Sequence, residues 1–129
     1  MGYEFRVSKL RLIEGRSRMR EIDLTPYKVK VSRRLDSGEI RIEETDYDLK
    51  ASIAGILFLP DLKISGREAV KRDKLCEKIE EAENSILLEE ADWKKIVEAI
   101  EALPQVGRND VKFVERILDA PEVSVDKKG

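Results

Sequence analysis

Histidine is absent from the 129 residues, and cysteine occurs once, at Cys76. The first absence removes the side chain that titrates near neutrality and the commonest metal ligand, so histidine-based acid/base catalysis and His-containing metal sites are excluded. A lone cysteine excludes an internal disulfide framework and every multi-cysteine zinc pattern. Aromatic residues make up 5% of the chain, too few to line a good sugar cleft even where carboxylates are plentiful. No stretch approaches the ~18 consecutive apolar residues of a membrane-spanning helix, and the N-terminus lacks the charged, apolar and small-residue succession of a signal peptide. Phosphate loops are missing too: Gly107-Arg108-Asn109-Asp110 opens a helix without the spaced glycines or the Lys-Ser/Thr of a P-loop. A soluble intracellular protein with no membrane contact, no cofactor and no metal is expected.

Charge is abundant, at 40% of residues, yet the formal net is only −2. It is unevenly placed. Residues 1–34 carry ten basic and four acidic side chains, and the remainder fifteen basic and twenty-three acidic. Such a dipolar chain can steer an anionic partner to one end, or assemble head to tail with copies of itself; the plainer reading is a set of solvated faces. Gln105 is the one glutamine, with only Asn84 and Asn109 as asparagines and Thr25 and Thr45 as threonines. That bias resembles heat-adapted proteomes, which favour ion pairs over thermolabile amides.

Residues 1–18 read in two ways. Glu14-Gly15-Arg16 can be encoded by a purine run resembling a ribosome-binding site shortly before Met19, which makes the segment a non-native leader. Alternatively Tyr3, Phe5 and Val7 alternate with Glu4 and Arg6 as an extra strand. A single domain is expected over 19–125, with a polar tail at 126–129. In it, Tyr27, Val29 and Val31 alternate with Lys28, Lys30 and Ser32, and after the turn signal Asp36-Ser37-Gly38, Ile40 and Ile42 alternate with Arg41 and Glu43. This predicts a β-hairpin with one apolar face and an outer face bearing Lys28, Lys30 and Arg41. With Arg33 and Arg34 near the loop, Lys28 and Lys30 are the candidate contacts to a partner or to phosphates, although basic residues on an exposed strand also deter edge-to-edge aggregation.

Beyond Thr45 the period lengthens to that of a helix. Leu49, Ile53, Ile56 and Leu57 share a face up to Pro60, and with Phe58, Leu59 and Leu62 they predict the core against which the hairpin packs; a strand through Ile56 to Leu59 is the alternative. Ser65-Gly66-Arg67-Glu68 has the spacing of a capping box. It should start a helix with Val70, Leu75, Ile79, Ala82 and Ile86 as its stripe and Cys76 as a small core hydrophobe. Ile86 to Leu88 reads as an apolar link to a third helix bearing Trp93, Ile96, Val97, Ile100 and Leu103. Gly107-Arg108-Asn109 supplies a turn and N-cap for a fourth, with Phe113 or Val114, Ile117 and Leu118 inward. Residues 122–129 fray or add an edge strand.

Three constellations remain. Glu77, Glu80, Glu81, Glu83, Glu89, Glu90 and Asp92 form an acidic run that reads as a divalent-ion or basic-partner surface, or as a solvated face. The pair of helices around Gly107 has the outline of a helix–turn–helix, but its second helix is charge-balanced where a DNA-reading helix should be basic. An anion at the start of that helix, near Arg108, is compatible with the free amides there.

Finally, Met19-Arg20-Glu21-Ile22-Asp23-Leu24, Ile64-Ser65-Gly66-Arg67-Glu68, Leu88-Glu89-Glu90-Ala91-Asp92-Trp93, Gly107-Arg108-Asn109-Asp110-Val111 and Ala120-Pro121-Glu122-Val123 resemble segments of small uncharacterised proteins encoded by bacteriophages and prophages. The resemblance implies a place in virion assembly, as connector, tail-assembly chaperone or adaptor, in the host cytoplasm or the virion. Together these readings predict an α+β fold, an N-terminal β-hairpin packed against three or four short helices. They predict a non-enzymatic protein with no catalytic residues, acting on a protein partner or on itself. The alternative is a nucleic-acid-binding or regulatory module using the basic hairpin.

Overall fold

A computed structural model describes residues 16–126. The reading of residues 1–18 as leader or extra strand therefore falls mostly outside the described residues. The architecture is α+β. Strands β1 (Arg16–Asp23), β4 (Ser85–Glu89) and β5 (Glu122–Asp126) form an antiparallel sheet in the order β4-β1-β5, and β2 (Tyr27–Arg34) and β3 (Ile40–Tyr47) form a separate hairpin. Helices α1 (Leu49–Leu57), α2 (Gly66–Glu81), α3 (Glu90–Glu101) and α4 (Val111–Leu118) complete the body. No described helix is long and apolar enough to cross a membrane.

The core lies between the three-stranded sheet and the helices. Ile22 and Leu88 supply its sheet side, and Ile53, Leu57, Ile79, Ile96, Phe113 and Ile117 its helical side, each at most 2% exposed. Helical stripes read from sequence hold for α1 and α3. Three positions do not: Val70 and Leu118 are exposed, because α2 and α4 each turn a narrower stripe inward than the spacing suggested, and Ile86 lies beyond the end of α2. Ile56 and Leu57 end a helix, and Phe58 points substantially to solvent.

Two strands went unread. In β4, Ile86 and Leu88 are buried while Ser85, Leu87 and Glu89 face out, so the apolar link is a half-buried strand. In β1 the inward position beside Ile22 is Arg20, which breaks the apolar alternation that marks a strand. Its guanidinium stacks 4.0 Å from the Trp93 ring, reaches Glu90 at 3.1 Å and donates to the Ala120 carbonyl at 2.9 Å. Trp93 in turn donates to the Ile117 carbonyl at 2.8 Å, so a cation–π stack joins the sheet to α3 and α4.

The ends of the helices show which local signals were used. Asp48 accepts from the Ala51 amide and caps α1, and Ser65 accepts from the Glu68 amide at the start of α2. The reciprocal half of the capping box is absent, because the Glu68 carboxylate turns instead to Arg72 at 2.9 Å and Lys95 at 2.7 Å. Arg72, only 6% exposed, also donates to the Leu57 carbonyl. One ionic cluster thus ties α2 to α1 and α3.

The hairpin departs from its expected faces. Leu35 and Glu39 close around Asp36-Ser37-Gly38, with the Gly38 amide bonded to the Leu35 carbonyl and Gly38 at φ 91°. A turn followed by a left-handed glycine makes a loop with an odd number of residues. Odd-numbered residues of β2 therefore pair with odd-numbered residues of β3: Tyr27 with Tyr47, Val29 with Thr45, Val31 with Glu43. Ile40 and Ile42 pair with Arg34 and Ser32 and so stand on the face opposite Val29 and Val31, while Arg41 joins Arg33 rather than the lysines. The single apolar face read from sequence presumed an even loop.

Candidate functional site

The hairpin leaves the body at its root. Only there do its side chains pack on the core: Tyr27 and Tyr47 are half-buried, whereas Val31, Ile40 and Ile42 are 36%, 63% and 68% exposed toward the tip. Apolar side chains of this size, on both faces of a strand pair with no further strand beside it among the described residues, form a surface without an internal partner.

The mount is built from the start of α4. Residues Arg108–Asp110 form a 3-10 turn before the helix. The Tyr27 hydroxyl donates to the Asn109 carbonyl at 2.9 Å and accepts from the Phe113 amide at 3.1 Å; the Tyr47 hydroxyl donates to the Asp110 carboxylate at 2.6 Å. The two tyrosine rings stack at 4.8 Å, with Tyr47 also tilted against Phe113. Burial, reinforced by the bond to Asp110, pushes the Tyr47 phenol well above its ordinary pKa, and burial raises that of Tyr27. Asn109 does not serve as the N-cap that its position before α4 predicts. Its side-chain amide instead donates to the Lys30 carbonyl at 2.9 Å, holding the outer edge of β2. The Gly107-Arg108-Asn109-Asp110 motif is thus the clamp of the hairpin, and its partners are invisible in a single sequence because they lie some eighty positions upstream.

The candidate contacts Lys28, Lys30, Arg33 and Arg34 do not act as one patch. Lys28 pairs with Asp46 at 2.7 Å and Arg33 with Glu43 at 3.5 Å, so acidic β3 offsets much of basic β2. Arg33 lies on the face opposite the other three, and Arg34 stays exposed near the tip beside Ile40. Lys28 and Lys30 instead join Arg108 and Lys112 around a cleft of about 500 Å³ that Tyr27 and Asn109 also line. A second cleft, of about 550 Å³, borders α4 along Glu115 and Asp119 and continues to Glu21 and Asp23. The Asp23 carboxyl is held below the usual carboxylate range, chiefly by the Thr25 hydroxyl. One cleft is basic and the other acidic.

The acidic run is spread over the end of α2, β4 and the start of α3, and Glu90 is taken by Arg20. Among the described residues no three His, Cys, Asp or Glu side chains are placed to hold a metal ion. The helix–turn–helix outline also changes meaning, since Arg116 of α4 donates to the Thr25 carbonyl and lies 5.2 Å over the Tyr27 ring. That helix carries the hairpin. Cys76 is buried, and burial pushes its thiol up in pKa, the setting of an inert core cysteine.

Fold and site together define an α+β protein with a clamped, projecting β-hairpin. Compared with protein-family models, curated proteins and solved structures, the chain matches none.

Proposed function

We propose that this chain is a non-enzymatic protein that works through protein–protein contacts, as a connector, tail-assembly chaperone or adaptor in virion assembly of a bacteriophage or prophage, in the host cytoplasm or the virion. The observation that carries the protein-contact reading is the hairpin, a clamped arm whose Val31, Ile40 and Ile42 are exposed on its two faces. Exposed apolar side chains on a rigid arm supply binding energy with little ordering cost. The phage context rests on the sequence resemblance. A nucleic-acid-binding reading of the hairpin is less favoured, because Lys28 and Arg33 already face carboxylates.

The test is light scattering on the intact chain, alone and with co-expressed proteins from the same gene cluster, against the double variant Ile40→Ser/Ile42→Ser. A discrete oligomer or complex that the variant loses, with its thermal unfolding unchanged, is the expected result. Identical assemblies from both proteins overturn the reading, as does salt-dependent retention on random-sequence DNA by a chain that binds no protein.

A further inference from the structure

We propose that the basic cleft at the hairpin root binds a phosphate group, and that the bound anion braces the hairpin against the body. The inference goes beyond the protein-contact reading and stands on a different set of residues. Lys28 and Lys30 line the cleft from β2, and Arg108 and Lys112 from the turn and first residues of α4; no carboxylate is among its described lining residues, although Asp46 meets Lys28 at 2.7 Å and Glu44 stands opposite Lys30 on β3. Of these cations only Lys28 is ion-paired with another described residue. With Lys28 offset by Asp46, the charges of Lys30, Arg108 and Lys112 leave the concavity net positive, a field that draws in an anion.

The chemistry favours phosphate. Lysine ammonium groups act as compact point charges and the arginine fork matches oxyanion geometry, while a cleft of about 500 Å³ has the size of a small-molecule site. The positive end of α4, which starts at Val111, adds to the field. The placement has a mechanical consequence. Two cations belong to the hairpin and two to the body, and the joint between them is otherwise held by the Tyr27, Tyr47 and Asn109 hydrogen bonds. An anion touching both sides adds charge-assisted bonds across the same joint, so occupancy and stiffness of the hairpin are coupled.

Titration calorimetry and hydrogen exchange on the full chain test this, with inorganic phosphate, pyrophosphate and a short single-stranded oligonucleotide each compared with sodium chloride at matched ionic strength. The expected result is saturable binding of phosphate or pyrophosphate, with amide exchange slowed in β2 and β3. Lys30→Gln and Lys112→Gln should each weaken it about tenfold, the worth of one charge-assisted hydrogen bond, with unliganded stability unchanged. Arg108→Gln, at an exposed position, serves if either lysine variant fails to fold. Binding that survives all three substitutions overturns the proposal, as does no difference from chloride. Binding of the oligonucleotide alone replaces it with a nucleic-acid site. Salt-sensitive self-association lost on Lys30→Gln without added anion shows that carboxylates of a second copy fill the cleft instead. The Ile40→Ser/Ile42→Ser variant should bind pyrophosphate normally, which separates failure here from failure of the protein-contact reading.

Discussion

Replacing Glu68 with glutamine should destabilise the protein at neutral pH and do so less and less as the pH falls. Glu68 is the shared anion of two cations, Lys95 at 2.7 Å and Arg72 at 2.9 Å, whose side chains are 21% and 7% exposed. Removing one member of a fully buried pair costs about 3–5 kcal/mol, whereas an exposed pair is worth about 0–1 kcal/mol. With Glu68 a quarter exposed and Arg72 still bonded to the Leu57 carbonyl, the loss should be about 2 kcal/mol, or about 7 °C in Tm for a chain of this length. Lys95 first, and Arg72 second, hold the Glu68 carboxyl below its ordinary value of 4.5. Its folded pKa is thus lower than its unfolded one, so the contribution is full above the ordinary glutamate range and disappears as the pH falls through the folded value. Urea unfolding of the two proteins between about pH 7 and pH 3 should show a gap in midpoint that narrows with acid at unchanged slope. A gap below about 0.5 kcal/mol at neutral pH, or one independent of pH, refutes the placement of this cluster at the α1–α2–α3 junction.

Tyr47→Phe removes the bond to Asp110 and should cost about 1 kcal/mol, with amide exchange quickened in β2 and β3 more than in α2. Gly38→Ala strains a backbone at φ 91° by about 1–2 kcal/mol; it should expose the backbone amide at position 38 to exchange while leaving thermal unfolding of the body nearly unmoved. Cys76 should resist an aromatic disulfide reagent in the folded protein and react at once in denaturant, because burial disfavours its thiolate.

Helices were the legible part of this fold. The stripe of Leu49, Ile53, Ile56 and Leu57 and that of Ile96 and Ile100 announce themselves at helical spacing, and every position named is buried. The central strand was illegible for the opposite reason: Arg20 occupies an inward position that Trp93, Glu90 and the Ala120 carbonyl make tolerable, and all three are far along the chain. Strand alternation correctly announced the hairpin but not its faces, which depend on whether the turn holds an even or odd number of residues. Of the candidate site, Lys28, Lys30 and Arg108 stand out in the sequence, yet their meeting at one cleft with Lys112 depends on a tertiary clamp that no local pattern encodes.

The parity of the Asp36-Ser37-Gly38 turn decides more than register. Deleting one of its residues would bring Val29, Val31, Ile40 and Ile42 to the same side of the arm, apolar toward the tip and joined by charge only at Arg33, Glu44 and Asp46, and leave Lys28, Lys30, Arg34, Arg41 and Glu43 on the other. Such a ribbon would gather its four aliphatic side chains into one patch, a route to uncontrolled self-association. With the turn as it stands, each side mixes apolar with charged groups, and the two sides differ from one another. On the protein-contact proposal, two unlike sides favour one orientation of the arm against a partner. Loop length here therefore decides which surface the hairpin presents, as much as any residue it displays.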